Sequence, residues 1–377
     1  VEWGRRVCEL RAGKRRHGIV FAAQCFDHVR HFPIFCVKTR RNLTSEFTDC
    51  AGRVILFLEM HRSSFIFAVF AVVLSGFAVP AQAFDATVLD AVVRLKPDWS
   101  LQARGVGAQG APRDPEGTGV AVLTGGYIAT NAHVIGDAKN VEVMLADGRV
   151  FASNIIGRDP LTDIALLKIE GDVPVLPLAP SPQLADPVCA IGNQFGLGLS
   201  VTCGVVSALA RSGVGFNQIE DFIQTDASVN PGGSGGALVD ADQRLVGLVS
   251  AIFTKNSDAD IGVNFATSAA LLMRVVTDLR DFGMVRPGRV GLEVAAVPPA
   301  LQADTGGVMV ALIDIDGPAF QAGIEAADII TKINNLRVTS LAQATAAFYM
   351  VRPGDPVSVS VRRGDALRTV TLTVAEP

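Results

Sequence analysis

NPGGSGG, residues 230–236, sets one serine, Ser234, in a glycine-rich turn directly before the apolar run ALVD. A serine hydroxyl is a weak nucleophile at neutral pH and needs a base that takes its proton as it attacks a carbonyl. The attacked oxygen becomes an anion, and backbone N–H groups can stabilise it where no side chain crowds the turn. The stretch therefore predicts a nucleophile at Ser234 and an oxyanion hole formed by Gly232, Gly233 and Ser234.

Two upstream stretches supply the groups that such a serine requires. His133 lies in TNAHV (130–134) and Asp163 opens the apolar run of TDIAL (162–166). A neutral imidazole titrates near working pH, and a buried aspartate fixes its tautomer and stabilises its protonated form. Alone, each motif has a structural reading: a surface histidine, a turn aspartate and a flexible glycine turn. Together, in this order and each at a strand edge, they predict a catalytic triad.

The pattern around these motifs is that of a mainly β chain. Residues 92–265 form short β-branched runs separated by turn signals, which predicts antiparallel barrels or a sandwich. Apolar residues at helical spacing follow at 268–282. Gly283 and Pro287-Gly288 then predict a linker at 282–289, and residues 290–377 mix strands with helical pieces in a second, small α+β domain.

The composition is that of an ordinary globular chain. Its 377 residues are 49% hydrophobic and 19% charged, with a formal net charge of -4. This balance argues against a nucleic-acid-binding surface and against a long disordered tail. The length is enough for about two domains, each with its own core.

The N-terminal part resembles an export signal preceded by an unexplained segment. From Met60 a short basic start leads into an apolar run at 65–79 that ends at Ala81-Gln82-Ala83. This layout predicts a signal peptide at 60–83, cleaved after Ala83, although an uncleaved membrane anchor is the alternative. The apolar run, about 15 residues, is shorter than the ~20 of a membrane-spanning helix. Residues 1–59 are then expected to be a start-site artefact or disordered, with the domain that carries the predicted triad at 84–281.

Only two cysteines, Cys189 and Cys203, follow the predicted signal. They flank a glycine-rich connection between two β-like runs, so they are placed to face each other across a hairpin. A disulfide in an exported protein and two buried free thiols remain equally open readings. Neither cysteine has metal-ligand spacing to a histidine or aspartate, so no metal and no cofactor is predicted.

Four stretches in order, TNAHVI, DPLTDIALLKI, IGNQFGLGLSVTCGVVSAL and QTDASVNPGGSGGAL, resemble the protease domain of the HtrA (Deg) family. The resemblance implies two six-stranded β-barrels with the active site between them and the triad His133, Asp163 and Ser234. The region that follows resembles the family's PDZ domain. The resemblance further implies a periplasmic or otherwise exported, ATP-independent endopeptidase for unfolded or mislocalised proteins, assembled as a homotrimer or larger oligomer.

Three positions depart from the family pattern. Gly233 stands where asparagine usually precedes the catalytic serine, GVNFATS (262–268) replaces GIGFAIP, and Pro231 stands where arginine is more usual. The first change is expected to loosen the oxyanion turn, and the second to alter substrate preference. A catalytically silent peptide-binding chaperone or scaffold on the same fold is therefore the alternative function.

Specificity and peptide-binding residues follow from the same resemblance. By position, Val229 and Ile252 are expected to line the first specificity pocket, which predicts cleavage after small or medium aliphatic residues. The alternative is that both residues only fill the hydrophobic core. In the second domain, Val290, Gly291 and Leu292 resemble the carboxylate-binding loop of PDZ domains, which bind peptide C-termini as an added strand. The alternative for this domain is an assembly brace.

Overall fold

The computed structural model describes residues 85–99, 116–252, 262–298 and 306–377. For three N-terminal strands and for residues 251–252, only the backbone is described, without the side chains. Those three strands form an antiparallel sheet: β1 (Cys8–Arg15), β2 (Gly18–Cys25) and β3 (Ile34–Val37). They belong to a unit at 1–79 that is separate from the unit at 80–377. The predicted signal peptide lies outside the described residues, and its cleavage and the start at Met60 stay predictions.

The first large element is a closed six-stranded barrel. Its strands are β4 (Val92–Pro97), β5 (Gly117–Leu123), β6 (Tyr127–Asn131), β7 (Val141–Met144), β8 (Val150–Asp159) and β9 (Ile164–Ile169), in the order β4-β5-β6-β9-β8-β7. A 3-10 turn (Ala86–Ala91) precedes it, and the one-turn helix α1 (Ala132–Ile135) follows β6. β-branched and leucine side chains fill the interior because alternate residues of each strand point inward.

The second large element is another closed six-stranded barrel. Its strands are β10 (Pro187–Gly192), β11 (Ser200–Arg211), β12 (Phe222–Thr225), β13 (Ala237–Asp240), β14 (Leu245–Ile252) and β15 (Asn264–Ser268), in the order β10-β11-β12-β15-β14-β13. A 3-10 turn (Gln194–Gly196) lies in the β10–β11 connection. The two barrels confirm the mainly β, trypsin-like double-barrel architecture.

A disulfide joins the two strands of the β10–β11 hairpin. Cys189 and Cys203 are directly opposite each other in the register, with their Cα atoms 4.0 Å apart, and their sulfur atoms are bonded. Of the two readings that the sequence left open, the bonded pair is the one seen in the structure. The bridge lies at the base of the glycine-rich connection between β10 and β11.

A 14-residue helix, α2 (Ala269–Phe282), packs across both barrels, against β8 and β9 of the first and β14 and β15 of the second. Ser268 caps its start by accepting the N–H of Leu271 at 3.1 Å, and Gly283 ends it in the left-handed conformation. This confirms the helix predicted at this point. In the part of the chain that the structure describes, no helix combines the length and apolar character needed to cross a bilayer.

In its described residues, the C-terminal domain has a six-stranded sheet and two short helices. Its strands are β16 (Leu292–Ala296), β17 (Val308–Ile313), β18 (Ile329–Ile333), β19 (Leu336–Arg337), β20 (Pro356–Arg363) and β21 (Ala366–Thr373), and its helices are α3 (Pro318–Gln321) and α4 (Leu341–Tyr349). The order β16-β17-β18-β20-β21, with β19 beside β18, leaves β16 at an edge. α4 packs against β16 and β18, so the edge strand and this helix border one groove.

Buried polar contacts join this domain to the protease barrels. Tyr349 at the end of α4 donates its hydroxyl to Oδ2 of Asp159 at 2.7 Å, and both side chains are buried. Burial, then the bond to Asp159, raises the pKa of Tyr349, so the hydroxyl remains a donor at neutral pH. In the second contact, Asp278 of α2 forms an ion pair with Arg274 of the same helix. Asp278 also accepts a hydrogen bond of 3.1 Å from Arg352 of the C-terminal domain.

Candidate active site

His133 and Asp163 form a hydrogen-bonded pair at the rim of the first barrel. The Nδ1 atom of His133 lies 2.6 Å from Oδ2 of Asp163, and the backbone N–H of His133 donates to Oδ1 at 2.8 Å. The imidazole is half exposed whereas the carboxylate is largely buried. Because Nδ1 faces the carboxylate, Nε2 is the nitrogen left to accept a proton.

The backbone at Asp163 is held in a conformation that a non-glycine residue rarely adopts. Its φ is +59°, in the left-handed region, where strain amounts to about 1–3 kcal/mol. Its carbonyl accepts two bonds of 3.0 Å, from the N–H of Ala132 and from the amide of Asn131. These bonds tie the turn to the start of α1, which also carries His133, so both members of the pair are positioned together.

Ser234 lies on the second barrel, in the turn before β13, and faces the same cleft as His133 and Asp163. Its carbonyl accepts the N–H of Thr118 from β5 of the first barrel at 3.0 Å. Its hydroxyl donates to the carbonyl of Ser250 at 3.2 Å. Among the described residues, no hydrogen bond joins Ser234 to His133, so the serine is in a rotamer that must change before His133 can take its proton.

The turn before Ser234 presents two backbone donors. The carbonyl of Pro231 accepts the N–H of Phe195 at 2.6 Å, and in a trans peptide the N–H of Gly232 points the opposite way. Within the described residues, neither the N–H of Gly232 nor that of Ser234 has a hydrogen-bond acceptor. Gly233, in contrast, donates to Asn230 at 2.9 Å. Of the three residues predicted for the oxyanion hole, only Gly232 and Ser234 therefore have an N–H group available to an oxyanion. The N–H of Gly233 is used within the turn, in its bond to Asn230.

Gly232 and Gly233, in the middle of the turn, differ in whether a residue with a side chain could replace them. Gly232 has φ of +91°, and a Cβ there would lie 2.3 Å from the carbonyl of Asn193, so only glycine fits. At Gly233 the nearest atom to a Cβ is the carbonyl of Asn230 at 3.0 Å, and the backbone is not left-handed. The departure at Gly233 thus removes a side chain from a turn that is still closed by its own hydrogen bonds.

Thr118 supports this turn from the other barrel. Its hydroxyl donates to the carbonyl of Gly232 at 2.6 Å and accepts the N–H of Asn193 at 2.8 Å. The residue is fully buried. Sequence reasoning missed it because Thr118 and Gly232 are 114 positions apart. The only signal was its place between two glycines in the first apolar strand, GTGVAVL.

The cleft between the barrels has a volume of about 530 Å³. Of the residues that the structure describes, ten line it: His133, Pro160, Asp163, Phe216, Asn217, Val229, Asn230, Pro231, Ser234 and Ser250. Val229, predicted for the specificity pocket, is among them and is buried. Ile252 ends β14, and its side chain lies outside the described part of the molecule. Pro160, Phe216 and Asn217 were not predicted, because their loops meet the triad only in the folded chain.

The predicted carboxylate-binding loop precedes the edge strand β16. Gly291 has φ of +76°, and a Cβ there would lie 2.8 Å from the Cα of Gly317, so glycine is required. The carbonyls of Val290 and Gly291 accept N–H groups from Ala319 and Asp314, each at 3.0 Å. Neither Val290 nor Gly291 donates its own N–H to another described residue. Two backbone donors are thus available beside Leu292, the first residue of the edge strand.

Comparison with known families assigns both parts of the chain. Residues 117–248 match the trypsin-like peptidase domain, and residues 259–374 match the PDZ domain.

Individual relatives extend this match. Over 272 residues the chain is 38% identical to the serine endoprotease DegS of Escherichia coli (strain K12), covering 69% of this chain and 76% of DegS. It is 36% identical over 270 residues to the periplasmic serine endoprotease DegP of Salmonella typhimurium (strain LT2), covering 69% of this chain and 57% of DegP. The solved structure of the HtrA-type protease AlgW with a tripeptide is similar with a TM-score of 0.61 and 35% identity, covering 78% of this chain and 97% of that one. With this similarity and the double barrel, the chain belongs to the HtrA/Deg family of serine endoproteases, with a trypsin-like peptidase domain followed by a PDZ domain.

Proposed function

We propose that this chain is an exported, ATP-independent endopeptidase that cleaves unfolded or mislocalised proteins through an acyl-enzyme on Ser234. The observation that carries the proposal is that the His133–Asp163 pair and Ser234 line one cleft, and that the N–H groups of Gly232 and Ser234 have no acceptor among the described residues. Acyl transfer by serine needs these groups: a nucleophile, a base with an orienting carboxylate, and donors for the oxyanion.

The chemistry follows from the contacts at each atom. Rotation of the Ser234 side chain breaks its bond to Ser250 and directs the hydroxyl to Nε2 of His133. His133 takes the proton as Ser234 attacks the scissile carbonyl, and Asp163 stabilises the imidazolium through Nδ1. Gly232 and Ser234 donate to the oxyanion. The imidazolium then protonates the leaving amine, and water repeats the sequence to release the acyl group.

Substrate preference is proposed from the apolar wall of the cleft. Val229 is buried and uncharged and lines the cleft with Ser234. Ile252, at the end of β14, is proposed to complete with it a pocket for small or medium aliphatic side chains. Cleavage of a peptide library should therefore follow valine-sized or leucine-sized residues, and a profile dominated by lysine or arginine would contradict the assignment.

The PDZ domain is proposed to bind peptide C-termini beside β16. The N–H groups of Val290 and Gly291, which have no acceptor among the described residues, are suited to a carboxylate, and the edge of β16 is suited to an added strand. The structure of AlgW, solved with a tripeptide, supports a peptide-binding role for this family.

Export and assembly are proposed on separate grounds. The relative DegP is named periplasmic, and the Cys189–Cys203 disulfide is typical of an oxidising compartment. Assembly as a homotrimer or larger oligomer rests on the resemblance to the family, and sedimentation of the purified chain would measure it.

The test is labelling with a fluorophosphonate, which reacts only with an activated serine. The purified chain and its Ser234→Ala variant would be labelled with and without a peptide that has a free C-terminus. Labelling of the parent chain alone is expected, and an increase with peptide would show that the PDZ domain affects the site. A folded parent chain that takes no label in either condition would instead support the silent peptide-binding chaperone or scaffold.

A further inference from the structure

The loop that precedes β12 is wrapped around a buried carboxylate. Glu220 is only 3% exposed. Its Oε2 accepts the N–H of Val214 at 2.7 Å, and its Oε1 accepts those of Gly215, Phe216 and Asn217 at 3.0, 2.7 and 3.0 Å. Four consecutive backbone donors therefore converge on one side chain.

The carboxylate is satisfied by backbone alone. Within the described part of the chain, no lysine, arginine or histidine forms an ion pair with Glu220. Burying an unpaired charge is costly unless hydrogen bonds replace its water, and bonds to a charged acceptor are about twice as strong as neutral ones. Glu220 can therefore stay buried at low cost only while the loop keeps this conformation. The loop in turn is held in this conformation by its four hydrogen bonds to Glu220.

The same loop contacts the turn that carries the catalytic aspartate. The side-chain amide of Asn217 donates to the carbonyl of Thr162 at 3.2 Å, and the N–H of Ile219 donates to the carbonyl of Leu161 at 2.9 Å. Thr162 directly precedes Asp163, whose left-handed backbone must be held by its neighbours. The loop therefore supports the Asp163 turn from the second barrel.

The loop also forms part of the cleft wall. Phe216 and Asn217 line the cleft with His133 and Ser234. The Phe216 ring packs against Phe222 and Phe265, with ring centroids 6.3 and 5.7 Å apart. The ring is fixed on one side by this aromatic cluster, and its backbone N–H is fixed on the other by Glu220.

We propose that Glu220 is a positioning residue of the active site, which acts through the loop at 214–219 on both Asp163 and the Phe216 wall. Glu220 does not line the cleft, so it acts without touching substrate. The inference rests on the triad proposed above. It accounts for a buried carboxylate in the loop that contacts the residues just before Asp163.

The test compares Glu220→Ala and Glu220→Gln with a matched control, Asp240→Ala. Asp240 also accepts backbone N–H groups in a turn of the second barrel, from Asp242 and Arg244, but lies outside the cleft lining. Each variant of the full chain would be measured for kcat, KM, fluorophosphonate labelling rate and melting temperature. Because a misplacement of ~1 Å costs about 100-fold, Glu220→Ala should lower kcat/KM by about that factor. Glu220→Gln, which keeps one acceptor oxygen, should lower it by roughly 10-fold.

The outcomes separate a positioning role from a structural one. We expect Asp240→Ala to lower the melting temperature while leaving kcat/KM within about threefold of the parent chain, given an unperturbed cleft. Glu220 variants that melt below the parent yet keep kcat/KM within the same range would overturn the proposal. If Glu220→Ala does not fold, Asn217→Ala and Glu220→Gln decide, since unchanged activity in both would also overturn it. A parent chain that takes no label would instead refute the proposed triad.

Discussion

Replacing Thr118 by valine tests whether the first barrel holds the oxyanion hole in place. The change is nearly isosteric and removes only the hydroxyl that donates to Gly232 and accepts from Asn193. Each of the two groups left without a partner costs about 1–3 kcal/mol, so the free energy of unfolding should fall by about 2–6 kcal/mol.

The decrease in kcat expected for Thr118→Val should not exceed the decrease caused by losing an oxyanion donor. Loss of one oxyanion donor typically lowers kcat about 10²–10³-fold. Thr118→Val leaves the N–H of Gly232 present but removes the bond that fixes the carbonyl of the same residue. We therefore expect a decrease in kcat of about 10–100-fold. KM should change little, because Thr118 does not line the cleft.

The assay is steady-state cleavage of a quenched peptide with an aliphatic residue before the scissile bond, together with the fluorophosphonate labelling rate. Both are measured well below the melting temperature of each variant. Thr118→Ser is the control, since it keeps the hydroxyl and loses the methyl group. The reasoning is refuted if folded Thr118→Val keeps kcat within about threefold of the parent. A threefold decrease is far smaller than the decrease in kcat caused by losing an oxyanion donor. A loss in Thr118→Ser as large as that in Thr118→Val would refute it too.

Three further predictions concern stability. Tyr349→Phe should lower the free energy of unfolding by about 1.5–3 kcal/mol in urea, because Asp159 loses a buried donor; parent-like stability would contradict this. The Cys189→Ser/Cys203→Ser double variant should lose about 3 kcal/mol, the usual value for a loop of this length, and reductant should lower the melting temperature of the parent but not of the variant. Burial raises the pKa of Asp278, but backbone and guanidinium donors lower it overall, below the ordinary value of about 3.9. Its contribution to stability is therefore present above about pH 4 and lost as the pH falls further, so Asp278→Asn should flatten the melting curve against pH at acid values.

Local patterns in the sequence predicted what depends on neighbouring residues. The helix after β15 spans Ala269–Phe282, close to the predicted 268–282, and it ends at Gly283, where the pattern placed the break. The His133–Asp163 pair was predictable because each residue lies at the edge of its own β-like run. Strand order and barrel closure came only from resemblance, since short apolar runs do not specify their partners.

The parts of the site that were missed are side chains whose role exists only between distant segments. Thr118 and Glu220 have no local motif, because a hydroxyl in a strand and a carboxylate before a strand are usually solvent-facing or structural. The sequence placed Cys189 and Cys203 across a hairpin from each other, but whether they are bonded could not be read from it. The rotamer of Ser234, bonded to Ser250, was not predictable from residue types at all.

The division of the triad between two barrels has a consequence for how the chain comes into being. His133 and Asp163 belong to the barrel made first, whereas Ser234 is about 70 residues later and depends on Thr118 across the seam. Neither barrel alone contains both a nucleophile and its base. The predicted triad is therefore complete only once the two barrels have docked, so a copy in which only the first barrel has folded lacks the nucleophile.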